Sequence, residues 1–200
     1  MAQLPAAVVV HGTDEDDLLL QDGALQLCPI RNIPGSRSLR RRSSLSMNSG
    51  TYSVSMPNTD PVTDNGTVIE YVKSVAEREG HCRVYPAGAC SKGLKGEIIA
   101  EMGDMVAHGA VAFTDDGRGV QGAGMMRRCM DYGKMFDKTF LSHCQDEDLV
   151  GDGQVNEGVV STRLGLLGWP AEGEEIQIAR DIALARLTGA KLHIQHISTA

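Results

Sequence analysis

From Met56 onward the apolar residues alternate between helical stripes and short strand-like runs. Val68, Tyr71, Val72, Val75 and Ala76 recur at the three- and four-residue spacing of one helix face, and Gly80 follows as a stop. Thr67, with Glu70 three residues later, reads as a capping box that opens this helix. Arg83 to Ala87 predicts a strand. Ile98, Ile99, Met102, Met105 and Val106 predict a helix over about 97–108 that ends at Gly109. Ala110 to Thr114 has the length of a buried strand, with Asp115 and Asp116 directly after it. A helix is expected from Met125 to Phe136, a strand from Thr139 to Cys144, a helix from Glu174 to Leu187 closed by Gly189, and a strand from Lys191 to Ser198.

Strands alternating with helices of this length predict parallel βαβ units, and so an α/β fold. A complete (β/α)8 barrel takes ~250 residues, so the stretch from Met56 to Ala200 supplies about four to five units. The expectation is a partial (β/α)8 TIM-type barrel whose parallel edges are open, preceded by a short N-terminal β segment. That segment is 1–35, where Ala7 to Val10 and Leu18 to Leu20 lie between Gly12, Gly23 and Gly35. Residues 36–55 place Arg37, Arg40, Arg41 and Arg42 among serines with little hydrophobic periodicity, and read as irregular or disordered. Residues 56–200 form the third unit.

Charge and cysteine usage narrow the function classes. A net charge of −7 and 4% aromatic residues offer little to a nucleic acid. In such an acidic chain, Arg40 to Arg42 read as a solvated tail. Cys28, Cys82, Cys90, Cys129 and Cys144 are odd in number and contain no C-x-x-C pair, which favours reduced thiols. The first residues lack a basic signal-peptide head, and no run approaches the ~20 apolar residues of a membrane span. A cytoplasmic protein is expected, with no membrane partner.

Asp116, His143 and His196 each sit at or just past a predicted strand end, at spacings close to one and two βα units. Residues leaving successive barrel strands at their C-terminal ends converge on one site. A carboxylate with two imidazoles suits Zn2+. Taken singly, each is equally well a hydrogen-bonded strand-end side chain. Cys144, beside His143, reads as a buried strand-end thiol rather than a nucleophile, and Met102, Met105, Met125, Met126 and Met130 as core.

The words around these residues carry more. They run Met56-Pro57-Asn58-Thr59, Phe113-Thr114-Asp115-Asp116-Gly117, His143-Cys144-Gln145-Asp146, Asn156-Glu157-Gly158, Glu174-Glu175, Arg180-Asp181 and His193-Ile194-Gln195-His196-Ile197-Ser198-Thr199. In this order they closely resemble the class I (bacterial-type) dihydroorotases of the amidohydrolase superfamily, nearly continuously over 56–200. The resemblance implies a zinc-dependent hydrolase of cyclic amides. It would interconvert N-carbamoyl-L-aspartate and L-dihydroorotate in pyrimidine biosynthesis, using a binuclear zinc site to activate water. It implies that Asp116 bridges two zinc ions, that His143 and His196 complete the shell of one, and that Asn58 holds the substrate carboxylate. The implied partner is a small-molecule substrate; self-association into a homo-oligomer is left open.

The sequence departs from that pattern in three places. The family's H-x-H-x-R metal motif has no counterpart, since the histidines are His11, His81, His108, His143, His193 and His196. The strand bearing the family's catalytic Asp would lie beyond Ala200, so no catalytic residue is assigned, and the isolated chain is expected to bind zinc weakly and to be inactive. Gln145 stands where the family commonly has Glu. The alternatives are an allantoinase or hydantoinase relative, whose bridging residue is usually a carbamylated lysine, and a non-catalytic dihydropyrimidinase-like scaffold paralogue.

Overall fold

The computed structural model describes residues 7–11, 26–28, 51–80 and 82–199. Within them the backbone builds strands β1 (Ala7–His11), β2 (Gln26–Cys28), β3 (Thr51–Ser55), β4 (Arg83–Ala89), β5 (Ala112–Thr114), β6 (Thr139–Ser142), β7 (Val155–Asn156), β8 (Gly168–Trp169) and β9 (Lys191–Ile194). The helices are α1 (Gly66–Glu79), α2 (Met102–Ala107), α3 (Ala123–Gly133), α4 (Glu147–Val150), α5 (Val159–Leu164) and α6 (Glu172–Thr188).

Seven strands make one sheet in the order β2-β1-β3-β4-β5-β6-β9, and β7 pairs with β8 separately. From β3 to β9 every neighbouring pair is parallel. Parallel neighbours need crossover connections, which α1, α2, α3 and α6 supply. β1 closes the other side of β3, antiparallel, and carries β2 antiparallel in turn. The described strands of the N-terminal segment thus join the same sheet as the βα units, and the run expected at Leu18 to Leu20 lies outside the described residues.

The methionine-rich stripes pack where their spacing predicts. Met102, Met105, Met125, Met126 and Met130 surround Phe113 and Phe140, whose ring centroids are 5.8 Å apart. Each of these side chains contributes roughly 1.5–3 kcal/mol by leaving water. The helix layer lies close on the sheet here: a Cβ at Gly133 of α3 would overlap the Phe140 ring of β6. Val54, Met56, Ala87 and Ala112 form a second, smaller cluster. Ala112 and Phe113 are consecutive in β5, so their side chains take opposite faces of the sheet.

Four expectations need correction. Thr51–Ser55, assigned by composition to the irregular 36–55 segment, is strand β3, paired on both sides with Tyr52 and Val54 buried. Residues 36–50 lie outside the described residues. α1 is capped not by Thr67 but by Asn65, whose side-chain oxygen accepts the Val68 N–H at 3.2 Å. Its buried positions include Gly66, Ile69 and Val72, and Tyr71 is 53% exposed. The helix expected over 97–108 contracts to α2. The backbone N–H groups of Lys92 and Ala100 bond to Ile98 O and Cys90 O, which folds 91–100 into a loop and leaves Ile98 exposed. The last strand ends at Ile194 rather than Ser198. No helix among the described residues is long and apolar enough to cross a membrane.

Candidate metal centre

Four parallel strands deliver the three residues singled out by their spacing and Asn58, singled out by the resemblance. Asn58 follows β3, Asp116 follows β5, His143 follows β6 and His196 follows β9, all at C-terminal strand ends. The ladder sets their level. Ala112 pairs with Thr139, so Asp116 and His143 stand at the same height above the sheet. Thr139 pairs with Lys191, which puts Gln195, not His196, level with His143. Gln195 turns inward, where its Oε1 accepts from Thr114 Oγ1 at 3.3 Å and its N–H donates to Ser142 O at 3.0 Å. His196 then takes φ +30° and brings its ring to the site.

The three donor atoms converge. Asp116 Oδ1 lies 3.4 Å from His143 Nδ1 and 3.8 Å from His196 Nε2. The two ring nitrogens are 3.0 Å apart. An ion bonded at about 2.1 Å to tetrahedral donors would hold them about 3.4 Å apart, and the observed edges bracket that value. The residues fit a divalent cation with nitrogen and oxygen ligands, presented on one triangular face. Asn58 reaches the same group, donating from Nδ2 to Asp116 Oδ2 at 3.4 Å.

Burial and contacts act in opposite senses on the charges. Burial pushes the Asp116 carboxyl up, but hydrogen bonds and charge from His143 and His196 outweigh it and hold it well below the usual carboxylate range. Burial pushes His143 down, and the Asp116 and Gln145 contacts reverse that, leaving it raised. Asp116 is therefore an anion at neutral pH, as a metal ligand must be.

The supporting residues were not legible in the hydrophobic pattern. Asp115, buried beside Asp116, accepts the Cys90 and Ser91 N–H groups at 2.8 and 3.0 Å and the Ser91 hydroxyl. This ties the end of β4 to the end of β5. Asp181 on α6 accepts from Ser142 Oγ, next to His143, and from Arg180 Nε at 2.8 Å. Glu174, also on α6, accepts the Ser198 and Thr199 N–H groups just past His196. Glu174, Gln177 and Asp181 are all buried, so α6 turns a polar stripe at helical spacing toward the site. That stripe is the signal a search for apolar periodicity passes over. Cys144 is buried as expected, and its thiol is pushed up to about 11, chiefly by burial.

Residues 41–200 match the family described as Dihydro-orotase-like. The chain belongs to that family. The dihydroorotase of Thermoanaerobacter sp. (strain X514) is 54% identical over 144 residues, which are 72% of this chain and 33% of that protein. The dihydroorotase of Acetivibrio thermocellus is 47% identical over 156 residues, 78% of this chain and 37% of that protein. The chain spans about a third of the length of the curated relatives it matches. Among solved structures, L-hydantoinase (dihydropyrimidinase) from Arthrobacter aurescens matches with a TM-score of 0.59 at 18% identity, covering 78% of this chain and 36% of that one. This second likeness shows the fold alone. The Dihydro-orotase-like match covers all four residues of the site, Asn58, Asp116, His143 and His196.

Proposed function

We propose that this Dihydro-orotase-like chain carries part of the zinc site of a dihydroorotase, acting on the cyclic amide of dihydroorotate and on its open form, N-carbamoyl-aspartate. The observation that carries the proposal is the triangle of Asp116 Oδ1, His143 Nδ1 and His196 Nε2, with mutual separations of 3.0 to 3.8 Å. In the same reading the sheet from β3 to β9 is an arc of a (β/α)8 barrel. Its support is the unbroken parallel strand order, with every site residue at a C-terminal strand end.

Asp116, His143 and His196 would hold the zinc. Zinc bound there would supply Lewis acidity, activating water and polarising the ring carbonyl. Asp116, an anion within reach of both imidazoles, keeps the ligand set negatively charged overall. Asn58, whose amide lies against Asp116, would donate to the carboxylate of the substrate. The buried Asp115 and Asp181 hold the strand ends so that these positions do not drift.

Zinc titration of the folded chain tests this, alongside ring-opening assays on dihydroorotate, allantoin and hydantoin with an intact homologue. Zinc binding that is lost in Asp116→Asn is expected, with any ring-opening strongest on dihydroorotate. A stably folded chain that takes up no zinc would overturn the proposal and leave the non-catalytic scaffold in its place. Preference for allantoin or hydantoin would overturn the substrate assignment.

A further inference from the structure

We infer that Gln145 is a positioning residue that sets the tautomer and donor strength of the His143 imidazole, an inference that rests on the zinc reading above. His143 presents Nδ1 to Asp116 and His196, while its other nitrogen, Nε2, lies 3.0 Å from Gln145 Oε1. A neutral imidazole has one N–H and one lone pair. For Nδ1 to offer its lone pair to a metal, the proton must sit on Nε2, where it needs an acceptor. Gln145 Oε1 is that acceptor.

The glutamine is itself held in place. Its backbone carbonyl accepts from Gln121 Nε2 at 2.9 Å. Gln121 Oε1 in turn accepts the Glu147 N–H at 3.0 Å, and Gln121 O accepts from Arg180 Nη1 at 2.6 Å. The His143 ring is thus tied through Gln145 to the 115–122 loop and to α6. The partner outside a metal-bound imidazole governs both its orientation and its basicity. A neutral amide carbonyl polarises the Nε2–H bond less than a carboxylate would. Gln145 therefore orients His143 while leaving Nδ1 a weaker donor than the same geometry with a glutamate would give.

The test uses the full 200-residue chain and zinc alone, in competition with a chromophoric chelator. Gln145→Leu removes the acceptor and is expected to weaken zinc binding about 10–100-fold. Gln145→Glu keeps the acceptor, adds charge and is expected to tighten binding several-fold over the wild-type chain. Long-range 15N–1H spectra of the zinc-loaded chains should show the His143 Nε2–H proton moving downfield from Gln145→Leu to wild type to Gln145→Glu, an order that a purely structural role for Gln145 would not produce. Circular dichroism of the metal-free variants checks the fold, and should Gln145→Leu not fold, the Gln145→Glu comparison decides alone. Affinity in Gln145→Glu equal to that of wild type, or in a folded Gln145→Leu within twofold of it, would overturn the inference while leaving the zinc site standing. Absence of zinc binding by the wild-type chain would overturn both.

Discussion

The carboxylate of Glu174 accepts the backbone N–H of Thr199 at 2.7 Å, and also that of Ser198, across 24 to 25 residues of chain. This bond clamps the segment following His196 to the first turn of α6. It offsets the strain of His196, a non-glycine residue at φ +30°. Glu174 is buried, and although burial pushes its carboxyl up, the Thr199 and Ser198 hydrogen bonds prevail and hold it below its ordinary value.

Glu174→Gln should therefore cost about 1–3 kcal/mol of stability at pH 7, because hydrogen bonds to a charged acceptor are lost. The sign of the pH dependence follows from the lowered value. The wild-type contribution is complete above the unfolded carboxyl's ordinary value near 4.5 and declines as pH falls through the folded one. Urea midpoints from pH 3.5 to 7 should converge for the two proteins on acidification. A constant gap across that range would show that Glu174 acts through packing rather than charge.

Asp115→Ala should destabilise the chain by about 2–4 kcal/mol, since it strands the buried Cys90 and Ser91 N–H groups without an acceptor. Because those groups anchor the end of β4 against β5, protection of the two amides in hydrogen exchange should fall together. Unchanged protection at both would show that the carboxylate does not hold this junction.

Gly119 has φ +67°, and a Cβ there would overlap the His143 carbonyl oxygen. Gly119→Ala is expected to cost about 1–3 kcal/mol and to weaken zinc binding by displacing the His143 backbone. Gly151→Ala is the control, with φ +46° and open space around its Cβ. It should lose stability through the backbone alone and bind zinc as wild type does. Equal zinc affinity in both variants would remove Gly119 from the site's support.

Cys144 should resist alkylation. With its thiol near 11, only about one part in a thousand is thiolate at pH 8, and the side chain is buried. Iodoacetamide followed by peptide mapping should label half-buried Cys82 ahead of Cys90, Cys129 and Cys144, with all four reacting once the chain is unfolded. Rapid native labelling of Cys144 would instead mark it as an activated nucleophile.

The sequence by itself determined the alternation of α1, β4, α2, β5, α3, β6, α6 and β9, the methionine core and the identity of the converging residues, but not α4, β7, α5 and β8 between Cys144 and Glu174. Those properties are local: apolar spacing marks a buried face, and Asp116, His143 and His196 each stand within two residues of a strand end. Helix limits were less legible, because Ile98 and Ile99 sit at helical spacing with Met102 yet lie in a loop fixed by Cys90 and Lys92. Thr51–Ser55 was hidden for a related reason. Its serines carry no composition signal, and it is a strand because β1 and β4 flank it. Only the tertiary structure decided that Asp115 faces the β4 junction while Asp116 faces the imidazoles, and that Glu174, Gln177 and Asp181 line the buried side of α6. Polar burial of that kind depends on partners 24 to 57 residues away, such as Ser91 for Asp115 and Val120 for Gln177. A hydrophobic pattern encodes which face leaves water, but not which distant donor awaits a buried carboxylate.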